Sequence, residues 1–261
     1  MALARKEYIR GHDDILETWF LPPPNLPPLF VWRSQRANQF ENYEGDRNNP
    51  MNRDQDIPES ETTSLFVYNL PADCSAKDLL KSIRGFGKIF FVHLNPPKGM
   101  WPTVAAKVVF WEHEGARGYL EASQKRQIPI AGRFVRAMWN RIRTRGQPWK
   151  DCSRVIRIKG PSEVVSMEFL EPIFKTRFQY VLDEVISEFD NEVDIIELEI
   201  RFSSYRAQAA TAWQQIRELR AGLTTPEIND IVTARQLELL RSAAISWGKD
   251  PCQRSTGGGP A

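Results

Sequence analysis

The chain is poor in the residues that build disulfide frameworks and metal sites: three cysteines and three histidines in 261 residues. Cys74, Cys152 and Cys252 are odd in number and widely spaced. A disulfide scaffold is therefore not expected, and a reducing intracellular setting, nuclear or cytoplasmic, is. His12, His93 and His113 are scattered, and no Cys/His group has zinc-ligand spacing, so no metal site is expected. No apolar run approaches the roughly 20 residues that span a bilayer. No basic stretch leading into an apolar one suggests a secretory signal, and no membrane partner is expected. A Gly-Lys-Ser/Thr phosphate loop is missing, and Gly85-Phe86-Gly87 is too short for a dinucleotide loop. With no such signature, neither a cofactor nor an enzymatic activity is expected. Glu197 and Glu199 share a strand face, but no His or Cys lies near them in sequence, so a solvated acidic face outweighs a catalytic carboxylate pair. Cys74 precedes a helix start, where a thiolate can be stabilised, yet its place reads as capping rather than reactive.

What is present is a mixed soluble composition, 41% hydrophobic and 26% charged. The length leaves room for two domains of about 100 residues with tails. A net charge of +2 hides a strong asymmetry. Residues 1–63 carry 7 basic and 11 acidic groups, residues 64–150 carry 15 and 5, residues 151–221 carry 9 and 13, and residues 222–261 carry 4 and 4. One segment alone, at +10, has the electrostatic footprint of a polyanion binder.

Residues 1–63 read as a disordered Pro-rich tail. Pro22-Pro23-Pro24-Asn25-Leu26-Pro27-Pro28 favours polyproline II, and Arg33 to Glu61 has little to bury. Two apolar islands, Ile15 to Leu21 and Leu29 to Trp32, are either docking segments for a protein partner (residues 15–32) or pack back on the chain itself.

From Ser64 the pattern becomes regular. Leu65 to Leu70 is a strand, a helix follows Ser75-Ala76-Lys77-Asp78, and Ile89 to Leu94 and Val104 to Trp111 are strands. Glu112 to Ser123 is a helix and Phe134 to Trp139 a last strand. The order βαββαβ implies a four-stranded antiparallel sheet with two helices on one face. After a linker at 146–153 the order repeats more loosely over 154–252. Its elements are a strand from Arg154, a helix Glu168 to Phe178, strands Tyr180 to Ile186 and Val193 to Phe202, helices Tyr205 to Leu219 and Glu227 to Ala243, and a closing strand Ala244 to Trp247. Residues 253–261 read as a disordered tail. The fold class expected is α+β, two ferredoxin-like domains in tandem.

Leu65-Phe66-Val67-Tyr68-Asn69-Leu70 resembles the shorter RNP motif of RNA recognition motif (RRM) domains at all six positions. The longer motif aligns with Thr103-Val104-Ala105-Ala106-Lys107-Val108-Val109-Phe110, where Ala105 and Lys107 replace the usual stacking aromatics. The resemblance implies single-stranded RNA as partner, stacked on the open sheet face, and roles of the mRNA-processing kind. Strand alternation puts Phe66 and Tyr68 on that face, with Phe91, His93, Lys107, Arg136 and Met138. A basic extension carrying Arg141, Arg143, Arg145 and Lys150 either tracks a phosphate backbone or is a solvated linker. Trp101 either stacks on a base or covers the core. In the second half, Val155 to Gly160 matches the shorter motif in hydrophobicity only, and Glu197 and Glu199 stand where aromatics are expected. That half is expected to have kept the fold and lost the RNA face. Phe202-Ser203-Ser204-Tyr205-Arg206-Ala207-Gln208-Ala209 with Asp250-Pro251-Cys252 is similar to a group of fungal RRM proteins. A protein-interaction scaffold built on degenerate RRM faces and the tail is the other reading of the same chain.

Overall fold

The computed structural model describes residues 56–190 and 194–254. The expectations for the Pro-rich tail up to residue 55, for the islands within 15–32 and for residues 255–261 lie outside the described residues.

The first sheet contains β1 (Ser64–Leu70), β2 (Ile89–Asn95) and β3 (Val104–Phe110). Helix α1 (Ala76–Ile83) follows β1, and α2 (His113–Gln124) follows β3. Leu65 and Val67 are fully buried while Phe66 and Tyr68 are half-buried, as alternation requires. Helix α1 starts at a capping box in which the Ser75 hydroxyl accepts from the Asp78 N–H and the Asp78 carboxylate accepts from the Ser75 N–H. The cap is thus Ser75, and Cys74 sits buried just before it. A short hairpin, β4 (Pro129–Ile130) with β5 (Arg133–Phe134), precedes β6 (Arg136–Trp139). The expected strand Phe134 to Trp139 is therefore broken at Val135, whose side chain turns into the core. Asn69, with φ at 64°, closes β1 in a left-handed turn that Asn tolerates, and its side-chain amide donates to the Phe134 carbonyl. The strand order is β2-β3-β1-β6.

The second sheet repeats this order. It contains β7 (Val155–Pro161), β8 (Leu182–Asp190), β9 (Ile195–Phe202) and β10 (Ala244–Trp247), arranged β10-β7-β9-β8. Helix α3 (Met167–Lys175) links β7 to β8. Between β9 and β10 lie α4 (Ala210–Arg220), α5 (Pro226–Asn229) and α6 (Ala234–Ser242). The single helix expected over 227–243 is two, because Thr233 and Gln236 form a new capping box. The helix expected from Tyr205 starts only at Ala210. Before it, Arg206 is extended and Ala207 is left-handed, with φ at 61°.

The two domains are fused. Tyr205 packs its ring 4.9 Å from that of Trp111 and 5.8 Å from that of Phe90, both in the first domain. The Ser204 hydroxyl accepts from the Val92 N–H and donates to the Val92 carbonyl, capping the outer edge of β2. The 146–153 segment is docked as well. The Trp149 carbonyl accepts from the Trp111 indole, and Lys88 donates to the carbonyls of Lys150 and Cys152.

A buried ion cluster ties this seam. Arg154 has no exposed side-chain surface; it pairs with Asp183 and Asp250, each at 3.0 Å, and donates to the Phe202 carbonyl. Asp250 also accepts from the Ile89 and Cys252 N–H groups. The Cys252 carbonyl accepts from the Gly87 N–H, and the Cys252 side chain lies within the first domain's core. Gly248 opens this returning segment. A Cβ there would lie 2.5 Å from a Val155 methyl, so only glycine lets the chain pass. Burial first, then Asp250, pushes the Cys252 thiol up to about 12. Burial, Asp78 and Asp73 push that of Cys74 up to about 11. Both thiols should therefore resist iodoacetamide at pH 8 until the protein unfolds. Mass spectrometry of the native alkylated chain checks this; rapid labelling of Cys252 would show that the seam opens locally, and of Cys74 that the first core opens beside α1.

Candidate nucleic-acid interface

The outward face of the first sheet follows from the register, and its Phe91 and Val109 end packs against the second domain. Phe66 lies opposite Met138 on β6 and opposite Lys107 on β3, and Lys107 lies opposite His93 on β2. One row thus crosses all four strands. Tyr68, next along β1 on the same face, pairs with Arg136. The Phe66 and Tyr68 rings are 5.9 Å apart and within 18° of parallel, a paired aromatic platform. Met138 is 53% exposed and Arg136 and His93 are exposed, so the β6 side of the platform is open. Phe91 and His93 form a second parallel pair, 6.5 Å apart.

At this second pair the structure adds a residue to which the sequence reading gave no role. Arg206, from the second domain, places its guanidinium 5.8 Å from the Phe91 ring centroid. The short signal available was the Ser204-Tyr205-Arg206 string, but its first-domain partners Phe90, Phe91, Val92 and Trp111 are far off in sequence, which no local pattern reveals. Lys107 and Arg206 are both half-buried. Burial first, then the Arg206 charge, pushes the Lys107 ammonium down to about 8. Burial also lowers the Arg206 value.

The sign of this linkage is clear. A lysine whose folded value lies below its unfolded value binds its proton less well in the folded state, so stability rises with pH between about 8 and the unfolded value of about 10.5. Lys107→Met should therefore stabilise the fold at neutral pH by about 1–2 kcal/mol, after allowance for partial solvent screening. The same change should flatten the pH dependence in that window. Thermal unfolding of the two chains at neutral and alkaline pH checks this, and a destabilised Lys107→Met chain would contradict it.

The basic extension packs against the segment that precedes β1. Thr63 donates to the Thr144 carbonyl, and Thr62 bridges Arg145. Arg143 pairs with Glu59 at 3.1 Å and donates to the Ile57 carbonyl, and Arg145 pairs with Glu61. Ordered packing thus reaches upstream of Ser64, and Ile57, Thr62 and Thr63 are buried. The extension is thus a strap across residues 57–63, with Arg143 and Arg145 facing carboxylates. Arg141 stands exposed just past β6. Trp101 is 66% exposed at the tip of the β2–β3 connection, so it does not cover the core.

The second sheet presents a closed face. Arg157 pairs with Glu197 and Glu199, Lys159 with Glu197, and Arg201 with Glu199 and Glu184. The carboxylates that would repel RNA are neutralised by their own cross-strand neighbours.

The strand order β2-β3-β1-β6, repeated as β8-β9-β7-β10, is that of the RRM fold twice over, in tandem. No protein-family model and no curated protein sequence matches the chain. Among solved structures it is similar to the first two RRM domains of the yeast poly(U) binding protein, at 16% identity over 71% of this chain and 99% of that chain, with a TM-score of 0.27. It is also similar to RNA recognition domains 1 and 2 of Drosophila melanogaster Sex-lethal, at 15% identity over 71% and 99%, TM-score 0.25. A third is the N-terminal three RNA binding domains of the yeast splicing factor Prp24, at 15% identity over 72% and 67%, TM-score 0.24. No helix among the described residues is long and apolar enough to cross a membrane.

Proposed function

We propose that this chain binds single-stranded RNA on the open sheet face of its first domain. The observation that carries the reading is the parallel Phe66–Tyr68 platform, open towards Met138 and Arg136 and flanked by Lys107. Unpaired bases stack on such platforms, and an RRM face takes two or three of them. Arg136 at the platform edge and Arg141 just beyond it supply positive charge for the backbone, while Arg143 and Arg145 hold the upstream strap. The domain's +10 charge over residues 64–150 favours a polyanion over a neutral partner. No step of chemistry is required of any residue.

Titration of the full chain into fluorescently labelled short single-stranded RNA of random sequence, at moderate salt, tests this. Saturable binding that duplex RNA does not compete is the expected result. Absence of binding would sink the reading.

One feature favours a protein partner at the second domain. Val185 and Phe189 are 38% and 51% exposed along the edge strand β8, with Val181 just before it at 52%. Edge strands with exposed apolar side chains invite pairing with another chain. Val185 and Phe189 lie opposite Ile200 and Ile196, on the face of the sheet away from Glu197 and Glu199.

A further inference from the structure

We propose that Lys107 and Arg206, one from each domain, form a seat for a single phosphodiester group of the bound RNA strand. The inference rests on the RNA reading above and adds a role for the second domain within it.

The half-buried position of both cations carries the argument. Elsewhere in the described residues, arginines withdrawn from solvent face carboxylates or a carbonyl: Arg154 has Asp183 and Asp250, Arg143 has Glu59, Arg201 has Glu184 and Glu199, and Arg220 has the Arg241 carbonyl. Lys107 and Arg206 have no ion pair among the described residues. Both are partly withdrawn from water and carry the same sign, and the Arg206 charge adds to the burial that disfavours the Lys107 ammonium. A protein keeps such a pair at a cost in stability, and the missing element is an anion.

The position of Arg206 is built rather than incidental. Tyr205 before it is wedged against Phe90 and Trp111, and Ser204 is bonded to both polar backbone groups of Val92. Ala207 after it takes a left-handed conformation that an alanine adopts only when its surroundings impose it. The guanidinium is held over Phe91 in a cation–π contact. The seat also lies where a nucleic-acid strand would need it. Lys107 is the direct cross-strand neighbour of Phe66, and adjacent strands lie about 5 Å apart. A base stacked on Phe66 therefore has its own phosphate within reach of the pair. An acidic peptide would satisfy the two charges but leave the aromatic platform beside them without a ring to stack.

The test uses the full chain and the same labelled random-sequence RNA, with affinity measured over a series of salt concentrations. The Lys107→Met, Arg206→Gln double variant should bind on the order of tenfold more weakly, because charged contacts to phosphate are lost. The slope of log K against log salt should become less negative by about 0.7, the value for one phosphate of a single strand. The charge-keeping variant, Lys107→Arg with Arg206→Lys, should retain the original slope. Loss of binding without loss of fold is verified by thermal unfolding, since Lys107→Met is expected to raise the midpoint rather than lower it.

An unchanged affinity and slope in the double variant, with RNA binding by the original chain intact, would overturn the seat and leave the RNA reading standing. No RNA binding by the original chain would overturn both. Displacement of the RNA by hexaglutamate at comparable concentration would overturn the seat in favour of an acidic peptide site.

Discussion

Phe66→Ala with Tyr68→Ala should lower the affinity for single-stranded RNA by at least about 30-fold. Each base–aromatic stack is worth roughly 1–3 kcal/mol, so two stacks lost correspond to about 2–6 kcal/mol. The fold should survive. Both rings are half-buried on the face opposite the helices, and the core beneath them is held by Leu65 and Val67. The stability cost should be about 1–2 kcal/mol, the loss of one stacked pair and its partial burial. Fluorescence anisotropy and thermal unfolding on the same samples separate the two effects. A variant that binds RNA as well as the original chain would remove the platform from the site, whatever happens to the cations beside it.

Asp250→Ala should be the most destabilising single change among these residues, by about 3–5 kcal/mol, because it leaves the fully buried Arg154 short of a partner. It also orphans the Ile89 and Cys252 amides that the same carboxylate accepts. A loss of that size lowers the unfolding midpoint by about 6–20 °C for a chain of this length. Replacing Arg154, Asp183 and Asp250 together by apolar residues of similar volume should cost less than removing Asp250 alone, since no unpaired charge is left behind. Calorimetry checks both. A loss under about 1 kcal/mol in Asp250→Ala would show that the seam is held by the Phe90–Trp111–Tyr205 contact and not by the ions.

The first domain was legible in the sequence because its signals are local. Alternation over Leu65 to Leu70 set the inward and outward faces of β1, and Ser75 with Asp78 marked the start of α1. The same alternation placed Phe66, Tyr68, Lys107, Arg136 and Met138 on one face, which the register bears out geometrically. What the sequence hid is long-range. Arg154 reads as the polar first residue of a strand, and nothing in its neighbourhood announces two carboxylates 29 and 96 residues away. Arg206 reads as a residue in the first turn of a helix, a reading that tertiary contacts of Ser204 and Tyr205 override. Arg143 and Arg145 look like free cations until Glu59 and Glu61 are brought across from a segment with no periodicity of its own.

The two sheet faces also show how one fold is specialised by charge placement. On the first, the cations Lys107 and Arg206 are left without acidic neighbours. On the second, Arg157, Lys159 and Arg201 alternate with Glu184, Glu197 and Glu199 until the face is self-satisfied. The surface pairs are individually weak, about 0–1 kcal/mol each. Together they leave none of these three cations without a carboxylate partner.

The return of Gly248–Arg254 to the first domain bears on how the chain is made. Domains usually complete themselves in the order they leave the ribosome. Here the Cys252 side chain fills the core of the domain synthesised first, and Asp250 holds the start of its second strand. The amino-terminal domain therefore finishes folding only after the second domain has been synthesised, and each nascent chain exposes an unfilled first core for the whole of that interval.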